Sequence, residues 1–425
     1  MTVRAASSLR RVGSRPVGVI EGFYGTPWTV DERVECMQVL AAHGADTYVW
    51  APKSEPRHRD AWDEPFTPGE ISGFARLSTC ASGVSVSVGL TPGGAATSDA
   101  VLAKLAPALE VGCAGVTLCF DDLPVLDAAR RHADIANDVV ARTGLPTWLV
   151  PTHYAGMSGS PYLDTLVGEL DERVLVMWTG SHVVTDSITF HDARRRADVT
   201  GGRAPLLWDN TPVNDAMMTA LLHVGPYHGR DSDLRGELSG LLINPMPAMR
   251  ASLPTIESAC AWWRGDDSVQ AWSAAVDRLG LRLLAEATSF PGDPHWPGDA
   301  PSREWLGSVA ELDVADDVVR PWVEAARRGA TIALAAIDAL DALDAGEEGA
   351  ALTRHFLRLL GIGEWMREPV RTLGSGPRTR PVWTQDADGH FAPTAGSIMP
   401  TESIPERLLA RVNSALARRG ADLGE

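Results

Sequence analysis

From Pro16 to about Pro245 the chain alternates short apolar runs with longer stretches whose apolar residues recur three and four positions apart. Short apolar runs bounded by polar tips read as strands covered on both faces, and the 3.6-residue period reads as amphipathic helix. The strands predicted this way are Val17–Ile20, Thr47–Trp50, Val84–Gly89, Val116–Phe120, Thr147–Val150, Val174–Trp178, Pro205–Trp208 and Gly240–Ile243. Helix boundaries are written between them. Thr29-Val30-Asp31-Glu32 is a capping box, with Val34, Met37 and Leu40 at helical spacing and Gly44 as a stop. Thr67-Pro68-Gly69-Glu70 is a second box with proline in the first turn, Ser98-Asp99 opens another helix, and Gly144 closes the one after Phe120. Eight strands at roughly the 30-residue spacing of a βα unit predict an α/β fold, a closed (β/α)₈ or TIM barrel.

Beyond about Thr255 the period becomes helical throughout. Expected helices are Ile256–Arg264, Ser268–Ser289, Ser302–Leu312, Val318–Leu343, Ala350–Met366 and Pro405–Arg419, with Pro/Gly-rich loops at Phe290–Pro301 and Gly374–Thr401. The expected organisation is a tail at 1–15, a barrel at 16–255 and an all-α domain at 256–425. In that domain Val319, Trp322, Ala326, Ile332 and Ile337 form a packed face. Trp262 and Trp263 read as core at the junction, and Trp296 and Trp383 as loop residues.

Composition narrows the function. A net charge of −17 disfavours a nucleic-acid partner. The five cysteines, Cys36, Cys80, Cys113, Cys119 and Cys260, lie in apolar segments without a C-x-x-C pair and read as reduced thiols. Met1 to Arg15 has no apolar core of a secretory signal, and no stretch has the length to cross a membrane, so a cytoplasmic protein is expected.

A barrel places its chemistry at the C-terminal ends of its strands. Those ends offer Glu21-Gly22-Phe23-Tyr24-Gly25, Lys53, Asp121-Asp122, Thr152 and Tyr154, Thr179, Asp209-Asn210 with Asp215, and Asn244, while Thr91-Pro92-Gly93-Gly94 offers little. No metal set, H-E-x-x-H or G-x-S-x-G occurs, so neither metal nor cofactor is expected. The central feature is Val116 to Phe120 running straight into Asp121 and Asp122. Adjacent carboxylates split their proton affinities, which suits one for acid–base work and the other for an ionised role. Polar groups mixed with Trp and Tyr faces suit a sugar.

Gly18-Val19-Ile20-Glu21-Gly22-Phe23-Tyr24-Gly25-Thr26-Pro27-Trp28, Ala51-Pro52-Lys53 and Phe120-Asp121-Asp122 resemble glycoside hydrolase family 84. So do Pro151-Thr152-x-Tyr154-x-Gly156, Trp178-Thr179-Gly180, Leu207-Trp208-Asp209-Asn210, Asn214-Asp215, Gly225-Pro226-Tyr227-x-Gly229-Arg230 and Asn244-Pro245. Each motif is weak alone, but together they follow the family order across the whole barrel.

The resemblance implies a β-N-acetylglucosaminidase of O-GlcNAcase type. It would retain anomeric configuration by substrate assistance, the substrate's acetamido oxygen closing to an oxazoline. Asp121 would hold the acetamido N–H, and Asp122 would serve as acid and then base. Tyr154 would bond the acetamido group, Trp208 and Thr179 enclose its methyl, and Asn210 orient Asp121. Asp215 would bind O4 and O6, while Lys53, Asn244 and the Gly22 backbone hold the O3 side. Phe23 and Tyr24 complete the implied substrate-binding set. His153 and His182 read as structural.

The chain departs from the family pattern at His153, where human-type members carry Glu, and at Ala216, where they carry Tyr. The few residues before the first strand also imply that the α/β domain preceding the barrel in many bacterial relatives is absent. An exo-acting enzyme releasing terminal GlcNAc is expected. An endo-acting hyaluronidase-like glycosidase and a silent GlcNAc-binding protein are the alternatives. The implied partner is a GlcNAc-containing glycoside; nothing in the sequence sets the oligomeric state.

Overall fold

The computed structural model describes residues 15–123, 128–288, 301–370, 372–373, 383–386, 388–393 and 403–419. Eight parallel strands close into a barrel in sequence order. They are β1 (Val17–Glu21), β2 (Thr47–Trp50), β3 (Ser85–Leu90), β4 (Gly115–Cys119), β5 (Thr147–Val150), β6 (Val174–Trp178), β7 (Leu206–Asp209) and β8 (Gly240–Ile243). Closure is the pairing of β1 with β8, Gly18 opposite Leu242. All eight expected strands are present, four with their expected bounds and four displaced by one residue at one or both ends.

Helices follow the strands: α1 (Val30–Ala42), α2 (Pro68–Cys80), α3 (Ser98–Glu110), α4 (Ala129–Thr143), α5 (Pro161–Glu169), α6 (Phe190–Val199), α7 (Leu234–Glu237) and α8 (Met249–Arg264). Both expected capping boxes form, at Thr29–Glu32 and Thr67–Glu70. Gly144 ends α4 at φ 67, a left-handed cap that glycine takes without steric cost.

Alternation along the strands sorts side chains into two layers. Ile20, Val49, Cys119, Trp148, Val150, Met177, Leu206, Trp208 and Leu242 pack together inside the barrel. Their neighbours Val19, Tyr48, Trp50, Phe120, Leu149, Trp178, Leu207 and Leu241 pack outward under the helices. The same rule sends Glu21 and Asp209 outward. Glu21 takes a bidentate bond from Arg33 of α1 and the Tyr48 hydroxyl, and Asp209 takes one from Arg230, with the Tyr227 hydroxyl 2.7 Å away. These two strand-end carboxylates are structural.

Past the barrel come α9 (Ser268–Arg278), α10 (Arg282–Ala287), α11 (Arg303–Ala310), α12 (Arg320–Asp344), α13 (Glu348–Trp365) and α14 (Ile404–Arg418). The single helix expected at Ser268–Ser289 is two, divided at Gly280, whose φ is 66. The expected boundary at 255 falls inside α8, which is buried on both sides of it from Ala251 to Trp262. Nor is the C-terminal part all helical. Strands β9 (Trp383–Gln385) and β10 (Phe391–Pro393) pair antiparallel as a hairpin within the expected loop Gly374–Thr401. Three-residue strands are too short to show a period.

Trp262 is core, its indole N–H donating to Arg230 O at 3.1 Å. Trp296 and, apart from Arg15, the expected tail lie outside the described residues. The five cysteines are free. Among the described residues no helix is long and apolar enough to cross a membrane.

Candidate active site

Strand β4 delivers the central pair. Cys119 points into the barrel and Phe120 outward, its ring stacked on His132 of α4 at 3.8 Å. Asp121 therefore points in again. An extended Asp122 would face away, but its φ of 53 turns the chain so that both carboxylates line one cavity of about 320 Å³ at the barrel mouth. A left-handed aspartate costs on the order of 1–2 kcal/mol, which tertiary packing must offset.

The two acids are held differently. Asp121 Oδ2 lies 2.5 Å from the Lys53 ammonium, both groups buried. Its Oδ1 is buried and bonded to no protein group. Burial alone would raise the pKa of Asp121, but the Lys53 charge and hydrogen bond, with help from Arg59, outweigh it and hold the group below the ordinary carboxylate value. Asp122 accepts instead from two phenols, Tyr24 at 2.7 Å on Oδ2 and Tyr154 at 3.0 Å on Oδ1. Burial and the neighbouring Asp122 push both phenols above their usual pKa, so they remain donors. Arg59 fixes the turn by donating to the Asp122 carbonyl at 3.0 Å.

The loops after β7 and β8 build the opposite wall. The Trp208 indole N–H donates to Asn210 Oδ1 at 2.8 Å, which also accepts from Asn244 Nδ2 at 2.8 Å. Asn244 Oδ1 accepts from Gly22 N at 3.2 Å. Asp215 Oδ2 accepts from Tyr24 N at 2.8 Å, and burial raises its pKa. Gly22 is required by close approach: a Cβ there would lie 2.3 Å from the Trp208 ring.

The family described as beta-N-acetylglucosaminidase matches residues 17–289, the whole barrel and the first helices beyond it. The chain belongs to the β-N-acetylglucosaminidase family. The motif resemblance to glycoside hydrolase family 84 agrees with this. Protein O-GlcNAcase from Rattus norvegicus and from Mus musculus are each 30% identical to it over 275 residues. That segment is 59% of this chain but only 30% of the length of those relatives. An O-GlcNAc hydrolase mutant from Thermobaculum terrenum has a similar fold at TM-score 0.77 and 22% identity, covering 96% of this chain and 97% of that one. A chain named CpGH84B aligns at TM-score 0.74 and 22% identity, over 84% of this chain and 74% of its own.

Of the residues that the family resemblance nominates, Gly22, Tyr24, Lys53, Asp121, Asp122, Tyr154, Thr179, Trp208, Asn210, Asp215 and Asn244 all line the cavity. Phe23 does not. Alternation turns its ring into the outer layer, 5.8 Å from Trp28, and only its carbonyl is used nearby, accepting from Lys53 N. Asn210 does not orient Asp121 either: its carboxamide is committed to Trp208, Asn244 and the Val183 carbonyl, and Lys53 takes that task. His153 sits behind Tyr154, its Nδ1 2.7 Å from Ser160 Oγ, and burial lowers its pKa.

Sequence reasoning missed Arg59, which no motif marks, and the apolar lining residues Val183, Val184, Met217, Met218, Trp383 and Phe391. Of these the sequence marks only Trp383, as a loop aromatic. Among the described residues one group has metal-ligand spacing, Asp386, Asp388 and His390 at the exposed hairpin turn. There Asp386 Oδ1 already accepts the backbone N–H groups of Asp388 and His390, as a turn requires.

Proposed function

We propose that this protein is a retaining exo-β-N-acetylglucosaminidase that removes terminal β-linked GlcNAc by substrate-assisted catalysis. The observation that carries the reading is Asp121: a buried carboxylate kept ionised by Lys53, with one oxygen free and facing a sugar-sized cavity. Such an acceptor suits an amide N–H. Holding that N–H aims the acetamido oxygen at the anomeric carbon and stabilises the positive charge that develops on the closing ring.

Asp122 donates a proton to the glycosidic oxygen as the bond to C1 breaks, and the oxazoline forms with inversion. Asp122, now a carboxylate, takes a proton from water, which attacks C1 and reopens the ring with a second inversion. Two inversions give net retention. Tyr24 and Tyr154 hold Asp122 through both steps. Lys53, Asp215 and Asn244 serve the sugar hydroxyls, and Trp208 and Thr179 flank the acetamido methyl.

Hydrolysis of 4-methylumbelliferyl N-acetyl-β-glucosaminide by the wild type, Asp121→Asn and Asp122→Asn tests the mechanism. Asparagine tolerates the left-handed conformation at 122, so the second variant changes the acid without the turn. Both variants should lose at least about 100-fold in kcat. Asp122→Asn alone should recover on a substrate whose leaving group needs no proton. A wild type inert on this reactive glycoside ends the proposal.

The free cysteines, four of them buried, support a reducing compartment, and we place the protein in the cytoplasm. Cell fractionation checks that placement. We also assign the catalytic barrel to residues 16–264, ending with α8, and the helical region with its hairpin to the remainder.

A further inference from the structure

The β9–β10 hairpin is docked on the barrel mouth by residues about as far away in the chain as the barrel is long. Gln385 is buried and uses its whole carboxamide: Oε1 accepts from Ala155 N at 2.9 Å, and Nε2 donates to Thr152 O at 2.9 Å and Gly389 O at 3.2 Å. Val183 N donates to Trp383 O at 2.8 Å. Trp383 is two residues from Gln385 and so shares its face, while the register sets Phe391 opposite Gln385. Both aromatic rings consequently line the cavity.

The cavity is thereby layered. Its buried part carries Asp121, Lys53 and Asn244, whereas Val183, Met217, Trp383 and Phe391 are half-buried or exposed beside Tyr24, Asp122 and Asp215. The Phe391 ring lies 5.8 Å from Tyr154, and Tyr154 bonds Asp122. A leaving group receiving its proton from Asp122 therefore emerges beside the hairpin.

Resting on the function proposed above, we propose that Trp383 and Phe391 form an aglycone subsite for a second, neutral pyranose ring, with Gln385 as its positioning residue. The C–H faces of a pyranose pack on aromatic rings, and the hairpin offers them two. A peptide aglycone would need partners for its backbone, but beside the hairpin Val183, Met217 and Phe391 offer none, Trp383 offers one indole N–H, and the Tyr24 hydroxyl is already donated to Asp122. A uronate would need a cation. Lys53 is the only cation lining the cavity among the described residues, and it is bound to Asp121. The hairpin turn adds Asp386 and Asp388, which repel an anion.

The experiment compares kcat/KM for N,N′-diacetylchitobiose and methyl N-acetyl-β-glucosaminide in the wild type, Trp383→Ala, Trp383→Phe, Phe391→Ala and Gln385→Ala. Both substrates lose an alkoxide-type leaving group, but only the first has a ring to stack. The disaccharide-to-methyl ratio should fall roughly fivefold for each ring removed, fall at least as far in Gln385→Ala, and recover in Trp383→Phe. Equal losses on both substrates would mean that the hairpin merely supports Tyr154, and would overturn the subsite. So would a wild type that prefers a GlcNAc-serine peptide or a hyaluronan fragment to the disaccharide. If the wild type hydrolyses no glycoside, the functional reading fails separately. The ratio of chitobiose to GlcNAc dissociation constants, wild type against Trp383→Ala, then decides the subsite alone.

Discussion

Lys53 shows how one residue sets the chemistry of another. Its ammonium and Asp121 are both buried, and each stabilises the charged form of the other. The folded pKa of Asp121 lies below its unfolded value, so the pair stabilises the protein above the ordinary carboxylate range, and that contribution is lost as pH falls through the folded value. Lys53→Met removes the charge and the hydrogen bond but leaves the burial, which raises a carboxylate pKa. The acidic limb of the kcat/KM profile should then move to higher pH; an unmoved limb would show that Asp121 does not govern it. The sequence marked both residues through strand-end position and motif likeness. Their pairing was not legible, because 68 residues separate them and only the closed barrel, which sets the ends of β2 and β4 on either side of β3, brings them together. Asp121 and Asn210, by contrast, looked paired in prospect and are not.

At the scale of elements, the period-2 rule decides which strand-end groups are functional. Glu21 and Asp209 end strands as Asp121 almost does, yet they face the helices. Asp209 and Arg230 form a buried pair at 2.7 Å, and Arg230 also donates to the carbonyls of Thr185, Asp186 and His228. Arg230→Met leaves the Asp209 charge buried with only the Tyr227 hydroxyl, and should cost about 3–5 kcal/mol in urea unfolding. Gly22→Ala acts on the site itself. With its Cβ 2.3 Å from the Trp208 ring, the indole must shift, and a loss of about 1–3 kcal/mol is expected together with a raised KM. A variant with unchanged stability and KM would show that the Trp208 wall yields freely. Phe23 was misplaced for the same reason that Glu21 was neutral to the site: motif likeness nominates a segment, while alternation chooses among its side chains.

Across the whole molecule, barrel and helical region share a core. Leu222, Val224, Met246 and Ala248 from barrel loops pack with Trp272, Leu284, Leu306, Ala326 and Val412 of the helices beyond. The Trp272 indole N–H donates to Val224 O, and that of Trp322 to Ala220 O at 3.2 Å. Urea unfolding followed by far-ultraviolet circular dichroism and by tryptophan fluorescence should therefore give coincident transitions. Two separated midpoints would show that the helices fold apart from the barrel. The helical region also carries the hairpin back to the site, so its packing bears on the cavity rim as well as on stability.

The sequence by itself determined the barrel, its eight strands, most helix ends, and the central acids with most of their neighbours. The elements follow from local rules of apolar period and capping chemistry, and the site residues from strand-end position together with motif likeness. Only the tertiary structure decided which carboxylates face inward, that Lys53 rather than Asn210 holds Asp121, and that Arg59, Met217, Trp383 and Phe391 join the site. Those outcomes depend on where the chain turns, as at Asp122, and on contacts between segments as much as 233 residues apart. No local pattern carries that information.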